Sequence, residues 1–100
     1  MRDTRRAHAL VIHPRDNVAV VLHDLAPGTE VETVVRGRRS HITVRERIPA
    51  YHKFALLRIR RGGRVVKYGE AIGEATANIC PGAHVHVHNV QSRRVRPREG

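Results

Sequence analysis

The stretch Ile79-Cys80-Pro81-Gly82-Ala83-His84-Val85-His86-Val87-His88-Asn89 decides how this chain is read. A Pro-Gly pair marks a tight turn, and behind it three histidines alternate with valines. Successive side chains of a β-strand point to opposite faces, so His84, His86 and His88 are expected on one face and Val85 and Val87 on the other. Same-face neighbours on a strand are roughly 7 Å apart. Adjacent imidazoles could therefore converge on one metal ion or one small anion. The valines would bury the strand against a core.

The same turn outline recurs. Leu25-Ala26-Pro27-Gly28-Thr29-Glu30-Val31 and Ile59-Arg60-Arg61-Gly62-Gly63-Arg64-Val65 share the order apolar, two residues, Gly, two residues, Val with Ile79–Val85. Glycine suits the positive φ that such turns require. The copies are too irregularly spaced for a solenoid and predict a folded-over structure with several similar corners. Apolar runs are short and bounded by turn residues: Ala9–Ile12, Val18–Leu22, Val31–Val35, Ile42–Val44, Phe54–Ile59, Val65-Val66, Ala71–Ala77 and Val85–Val90. No segment has a helical period, so the fold class is all-β. Leu56–Arg60 is open to one short helical turn instead.

Composition bounds the function. One hundred residues make one domain. Aromatics are only 3%, with no Trp, so the core must be built from Val, Ile, Leu and Ala, residues that largely favour strands. The net charge of +10 predicts anionic partners. The lone Cys80 excludes an internal disulfide and a cysteine-rich zinc site and is expected to be incidental. No signal peptide or apolar membrane span is legible, and a cytoplasmic location is expected. Arginines concentrate at both ends, which predicts a basic N-terminal tail over 1–8, a domain over 9–92 and a basic C-terminal tail over 93–100.

Four motifs, in order, resemble the N-terminal SAF-type domain of altronate and galactarate dehydratases. They are His13-Pro14-Arg15-Asp16-Asn17-Val18-Ala19-Val20; Ile48-Pro49-Ala50-Tyr51-His52-Lys53-Phe54-Ala55-Leu56; Val66–Gly73 with Ala75–Ile79; and His84–Asn89. The resemblance implies a small β-clip domain. It also implies the small subunit of a two-subunit lyase whose larger catalytic subunit completes the site. Related members act on sulfolactate, releasing sulfite instead of water; Asp16-Asn17-Val18-Ala19 is closer to the sugar-acid branch. A divalent metal is implied, iron(II) or manganese(II), held mainly by the large subunit. Three features depart from the pattern: Tyr51 where a glycine is expected, the basic turn Arg36–Arg39, and the arginines from Arg93 onward.

Dehydration of a hydroxy acid removes a proton beside a carboxylate and expels a hydroxyl. It needs cations or hydrogen-bond donors on the carboxylate, a base for the proton, and protonation of the hydroxyl or a Lewis-acid metal to draw it off. His52, His86 and His13 are the expected catalytic residues. Lys53, Lys67, Asn89 and Asn17 are the expected contacts for an anionic substrate, and His84, His86 and His88 the expected metal ligands. Plainer readings stand beside these. The histidines could bond to backbone or line an interface, Lys53 could be a solvated charge, Tyr68 could pack, and Asp16, Asn17 and Asn89 could serve turns. His8, His23 and His41 match no motif and are expected at the surface. Two other functions stay open: a stand-alone metal- or carbohydrate-binding domain, and a nucleic-acid binder, which the lack of a stacking platform disfavours. Self-association is open as well, since a small β domain must hide its edges.

Overall fold

The computed structural model describes residues 6–11, 13–35 and 37–92. These residues form nine short strands and no helix. The strands are β1 (Arg6–Leu10), β2 (Val18–Val21), β3 (Glu30–Val35), β4 (Arg38–Thr43), β5 (Lys53–Ala55), β6 (Arg64–Lys67), β7 (Glu70–Ala75), β8 (His84–Val85) and β9 (Val90–Ser92). One sheet has the order β4-β3-β1-β2-β5-β8 and the other β6-β7-β9. Pairing is antiparallel except between β1 and β3. The all-β expectation holds. Leu56–Arg60 does not coil; the chain bends there and Ile59 bridges to Ile79.

The corners anticipated in the sequence are built alike, and there is a fourth, Ile48-Pro49-Ala50-Tyr51-His52-Lys53-Phe54. In each, one N–H closes the turn onto the carbonyl three residues back: Thr29 to Ala26, His52 to Pro49, Gly63 to Arg60 and Ala83 to Cys80. The third turn residue has positive φ in every copy: Gly28 at 89°, Tyr51 at 68°, Gly62 at 85° and Gly82 at 86°. That is the geometry of a type II turn, which prefers glycine at this place. Each corner then trades two bonds with one residue in or next to a strand. Gly28 N–H donates to Val44 and Val44 N–H to Thr29; the same exchange joins Tyr51 and His52 to Val21, Gly62 and Gly63 to Ala75, and Gly82 and Ala83 to Ala55. The corners pair off through reciprocal bridges, Leu25 with Ile48 and Ile59 with Ile79.

This pairing creates two equivalent cores. One holds Leu25, Ile48, Val31, Phe54, Val44, Val21 and Ala19; the other holds Ile59, Ile79, Val65, Val85, Ala75, Ala55 and Val18. Each contains the first apolar residue of two corners, the apolar residue six further on, and the two residues that exchange bonds with the turns. Neighbours Val18 and Ala19 on β2, and Phe54 and Ala55 on β5, face opposite cores. The β2–β5 pair is thus buried on both sides, which explains its near-continuous apolar reading.

The expected single strand Val85–Val90 is corrected. Strand β8 ends at Val85, residues 86–89 turn, and β9 begins at Val90. Asn89 makes the turn: its Oδ1 accepts the His86 N–H at 3.0 Å, its Nδ2 donates to the His84 carbonyl at 2.9 Å, and its own N–H donates to the His86 carbonyl. A side chain able to accept and donate at once competes with the ladder for the backbone. Val85 is fully buried, but Val87 is 80% exposed and packs on nothing expected of it.

A candidate histidine site

Strands β5 and β8 bring the site together. Their register pairs Lys53 with Val85 and Phe54 with His84, so the next step along the ladder sets His52 against His86. The two imidazoles stack, centroids 4.0 Å apart and planes within 13°. His84 lies diagonally across, with its Nε2 2.8 Å from Nδ1 of His52. One of those nitrogens must carry the hydrogen and the other accept it, so the pair shares a proton. His88 joins from the turn, its ring 5.2 Å from that of His84. Of the expected metal ligands, His84 and His86 share a cluster with His52, and His88 stands at its edge.

Backbone bonds from neighbouring segments position these rings. Asn89 holds the turn beneath His84 and His86. The corner carrying His52 is tied by Asp24, whose carboxylate accepts the Ala50 N–H at 2.8 Å and the Arg47 guanidinium at 3.0 Å. Those two donors, the Ala50 N–H first, hold the Asp24 carboxyl below its ordinary range. Glu46 Oε2 accepts the His84 N–H at 2.9 Å. Neither acid stood out in the sequence, because Arg45-Glu46-Arg47 reads as a solvated run and Asp24 as a turn former. Burial, then the surrounding imidazoles, push His84 below the ordinary histidine value; burial, then His52 and Lys53, do the same for His86.

Lys53 is half-buried beside the cluster, and burial, then Lys67, push its pKa down. Lys67 lies on β6 with its Nζ 4.7 Å from the centre of the Tyr68 ring. The other expected residues are engaged elsewhere. His13 Nδ1 accepts the Arg15 N–H, and its ring packs on the β6–β7 turn so closely that a Cβ at Gly69 would come within 2.8 Å of it. Asp16 is buried and accepts the N–H groups of His13 and Gly69. Asn17 accepts the Val66 N–H and donates to the Arg64 carbonyl, fastening the loop to β6. His23 and His41 are exposed, as is the free Cys80. The arginine tail and Arg36 lie outside the described residues.

His52, His84 and His86 each offer a nitrogen, all within 4.8 Å of one another. Nitrogens sharing one ion at about 2.1 Å sit roughly 3–4 Å apart. The set could hold a divalent first-row ion only after the stacked rings turn their nitrogens inward and the His52–His84 hydrogen bond is exchanged for ligation; neutral imidazole suits iron among others. No helix of the described residues is long and apolar enough to cross a membrane.

Residues 7–93 match the family model of the altronate/galactarate dehydratase SAF domain. The chain is similar to altronate dehydratase of Escherichia coli (strain K12), 48% identical over 81 residues that make 81% of this chain and 16% of that protein. Galactarate dehydratase (L-threo-forming) of the same organism is 34% identical over 86 residues, 84% of this chain and 15% of that protein. The (2R)-sulfolactate sulfo-lyase subunit alpha of Chromohalobacter salexigens is 32% identical over 90 residues, 84% of this chain and 94% of that subunit. The chain thus spans about a sixth of the dehydratases and nearly all of the sulfo-lyase subunit. On the ordered match across both cores and all four corners, the chain belongs to the altronate/galactarate dehydratase SAF domain family.

Proposed function

We propose that this chain is the small subunit of a two-subunit hydro-lyase for sugar acids of the altronate or galactarate type, completed by a larger catalytic subunit. The observation that carries the reading is the convergence of His52, His84 and His86, from segments 32 residues apart in sequence, beside a half-buried lysine. A larger partner is supported by the relatives: the dehydratases carry this domain on much longer chains, and the sulfo-lyase relative is itself named a subunit.

In this reading Lys53 and Lys67 hold the substrate carboxylate. A partly desolvated ammonium binds an anion more strongly than a solvated one, since the local dielectric is lower. Proton transfer falls to His52 and His86. A neutral imidazole accepts the proton as the C–H bond breaks; an imidazolium returns one to the departing hydroxyl, which leaves as water. Iron(II) or manganese(II), held mainly by the partner with His84 and His88 contributing, would supply Lewis acidity toward that hydroxyl. Asn89, Glu46 and Asp24 are positioning residues, acting through the backbone that carries the rings.

The test is reconstitution with the larger chain and assay of dehydration of altronate and galactarate. His52→Ala and His86→Ala should each lower kcat by about 10²–10⁴. Unchanged rates in both would end the reading. A second reading, the alpha subunit of a sulfolactate-type sulfo-lyase, is favoured by the 94% coverage of that relative. Sulfite release from sulfolactate, without dehydration of sugar acids, would select it.

A further inference from the structure

Four corners share one backbone, and one of them breaks its own rule. Gly28, Gly62 and Gly82 occupy the positive-φ position in three corners; Tyr51 occupies it in the fourth at φ 68°. A left-handed conformation is costly for a bulky L-residue, because Cβ crowds the following carbonyl. Backbone strain of this kind clusters at functional sites, where something outside the local structure favours it. The corner's backbone bonds hold the turn, as they do in the glycine corners, but no contact of the Tyr51 side chain repays the choice of tyrosine. The Tyr51 side chain is 73% exposed, and among the described residues its ring stacks on no other and its hydroxyl has no partner. The other left-handed tyrosine, Tyr68, differs: Lys67 caps its ring.

The place of Tyr51 matters as much as its strain. It precedes His52, and its N–H donates to the carbonyl of Val21, next to exposed Leu22. Across the cluster, exposed Val87 sits between His86 and His88. Two exposed apolar side chains, Tyr51 and Val87, therefore stand on the segments that carry the histidines, and a third, Leu22, adjoins the residue that bonds Tyr51. Exposed apolar groups around a polar centre mark surfaces that another molecule covers, and tyrosine is among the residues that most often anchor such contacts.

We propose that Tyr51, the strained and exposed neighbour of His52, is the anchor through which a larger protein partner closes over the histidine site. The occupant is the larger catalytic chain of the lyase, so this inference rests on the function proposed above. Two observations choose that occupant. The relatives that hold this domain as 15–16% of their length have it on much longer chains. The net charge of +10 favours a partner with an acidic face over a second copy of this chain.

The experiment titrates this chain into a larger lyase chain that gains dehydratase activity from it. For Tyr51→Gly, the concentration giving half-maximal activity should rise at least about tenfold, with the maximal rate at saturation unchanged. The isolated variant should melt about 2–8 °C higher, because strain is relieved. Val34→Ala, at an exposed position on β3, is the control and should alter neither. An unchanged half-saturation point for Tyr51→Gly, with wild type still activating, overturns the anchor and leaves the subunit reading standing. A lower maximal rate at an unchanged half-saturation point overturns it too, by assigning Tyr51 to the chemistry. Failure of the wild-type chain to activate any larger lyase chain overturns both.

Discussion

The corner Leu25–Val31 and the corner Ile48–Phe54 have the same hydrogen bonds and contribute the same positions to one core, yet they do different things. In the first, Thr29 is buried and its hydroxyl donates to Ala26, so the turn satisfies itself. In the second, His52 takes that position and meets His84 across β5 and β8. The first and seventh residues of each corner are committed to the core and tolerate only apolar chemistry. The fourth residue is held to a positive φ, while the fifth and sixth differ from corner to corner: Thr29-Glu30, His52-Lys53, Gly63-Arg64 and Ala83-His84. Function was placed where the fold does not constrain the side chain.

Replacing a core position should break the comparison most. Phe54 fills the place in its corner that Val31, Val65 and Val85 fill in theirs. Phe54→Ala should cost about 3–5 kcal/mol and Val65→Ala about 2 kcal/mol. Urea unfolding of both variants checks this, and equal losses would mean the positions are not equivalent. A smaller effect separates two glycines of the same φ. A Cβ at Gly28 would meet nothing within 4 Å, whereas one at Gly82 would collide with the Thr43 carbonyl. Gly28→Ala should cost about 1–2 kcal/mol from the left-handed backbone alone, and Gly82→Ala measurably more. Thermal melts with the opposite order would contradict the packing at the corner Ile79–Val85.

The smallest effect concerns pH. Burial and neighbouring imidazoles hold His84 below its ordinary value of 6.5. The folded chain therefore binds fewer protons there than the unfolded chain does, and stability increases with pH across that interval. Metal-free protein should begin to lose melting temperature as pH drops below about 6.5 and continue through the lower folded value. His84→Asn should flatten that slope. A slope identical to wild type would mean that His84 titrates as a free histidine.

The fold was legible because its information is local. Pro-Gly pairs and glycine-centred turns announced three corners, and β-branched runs between them announced strands. The fourth corner was hidden because Tyr51 stands in the glycine position and Phe54 in the valine position, so its outline did not match. At the site, His84 and His86 were visible from their spacing, but for a reason that failed in part. They meet through a turn bound by Asn89, and Val87 is left exposed. Asn17 and Asp16 were read as candidates for a site or for turns, and their bonds to β6 and Gly69 are those of fasteners.

By itself, the sequence determined the strand-and-turn class, three of the four corners, and the presence of a histidine-rich stretch. These depend on side-chain size, alternation and backbone preference within a few residues. Only the tertiary structure decided which histidines share a proton and which carboxylates hold the backbone near them. His52 and His84 are separated by 32 residues, and their meeting depends on the register that pairs Lys53 with Val85. Register is a property of two strands and of the cores on both sides of them, and no single segment encodes it.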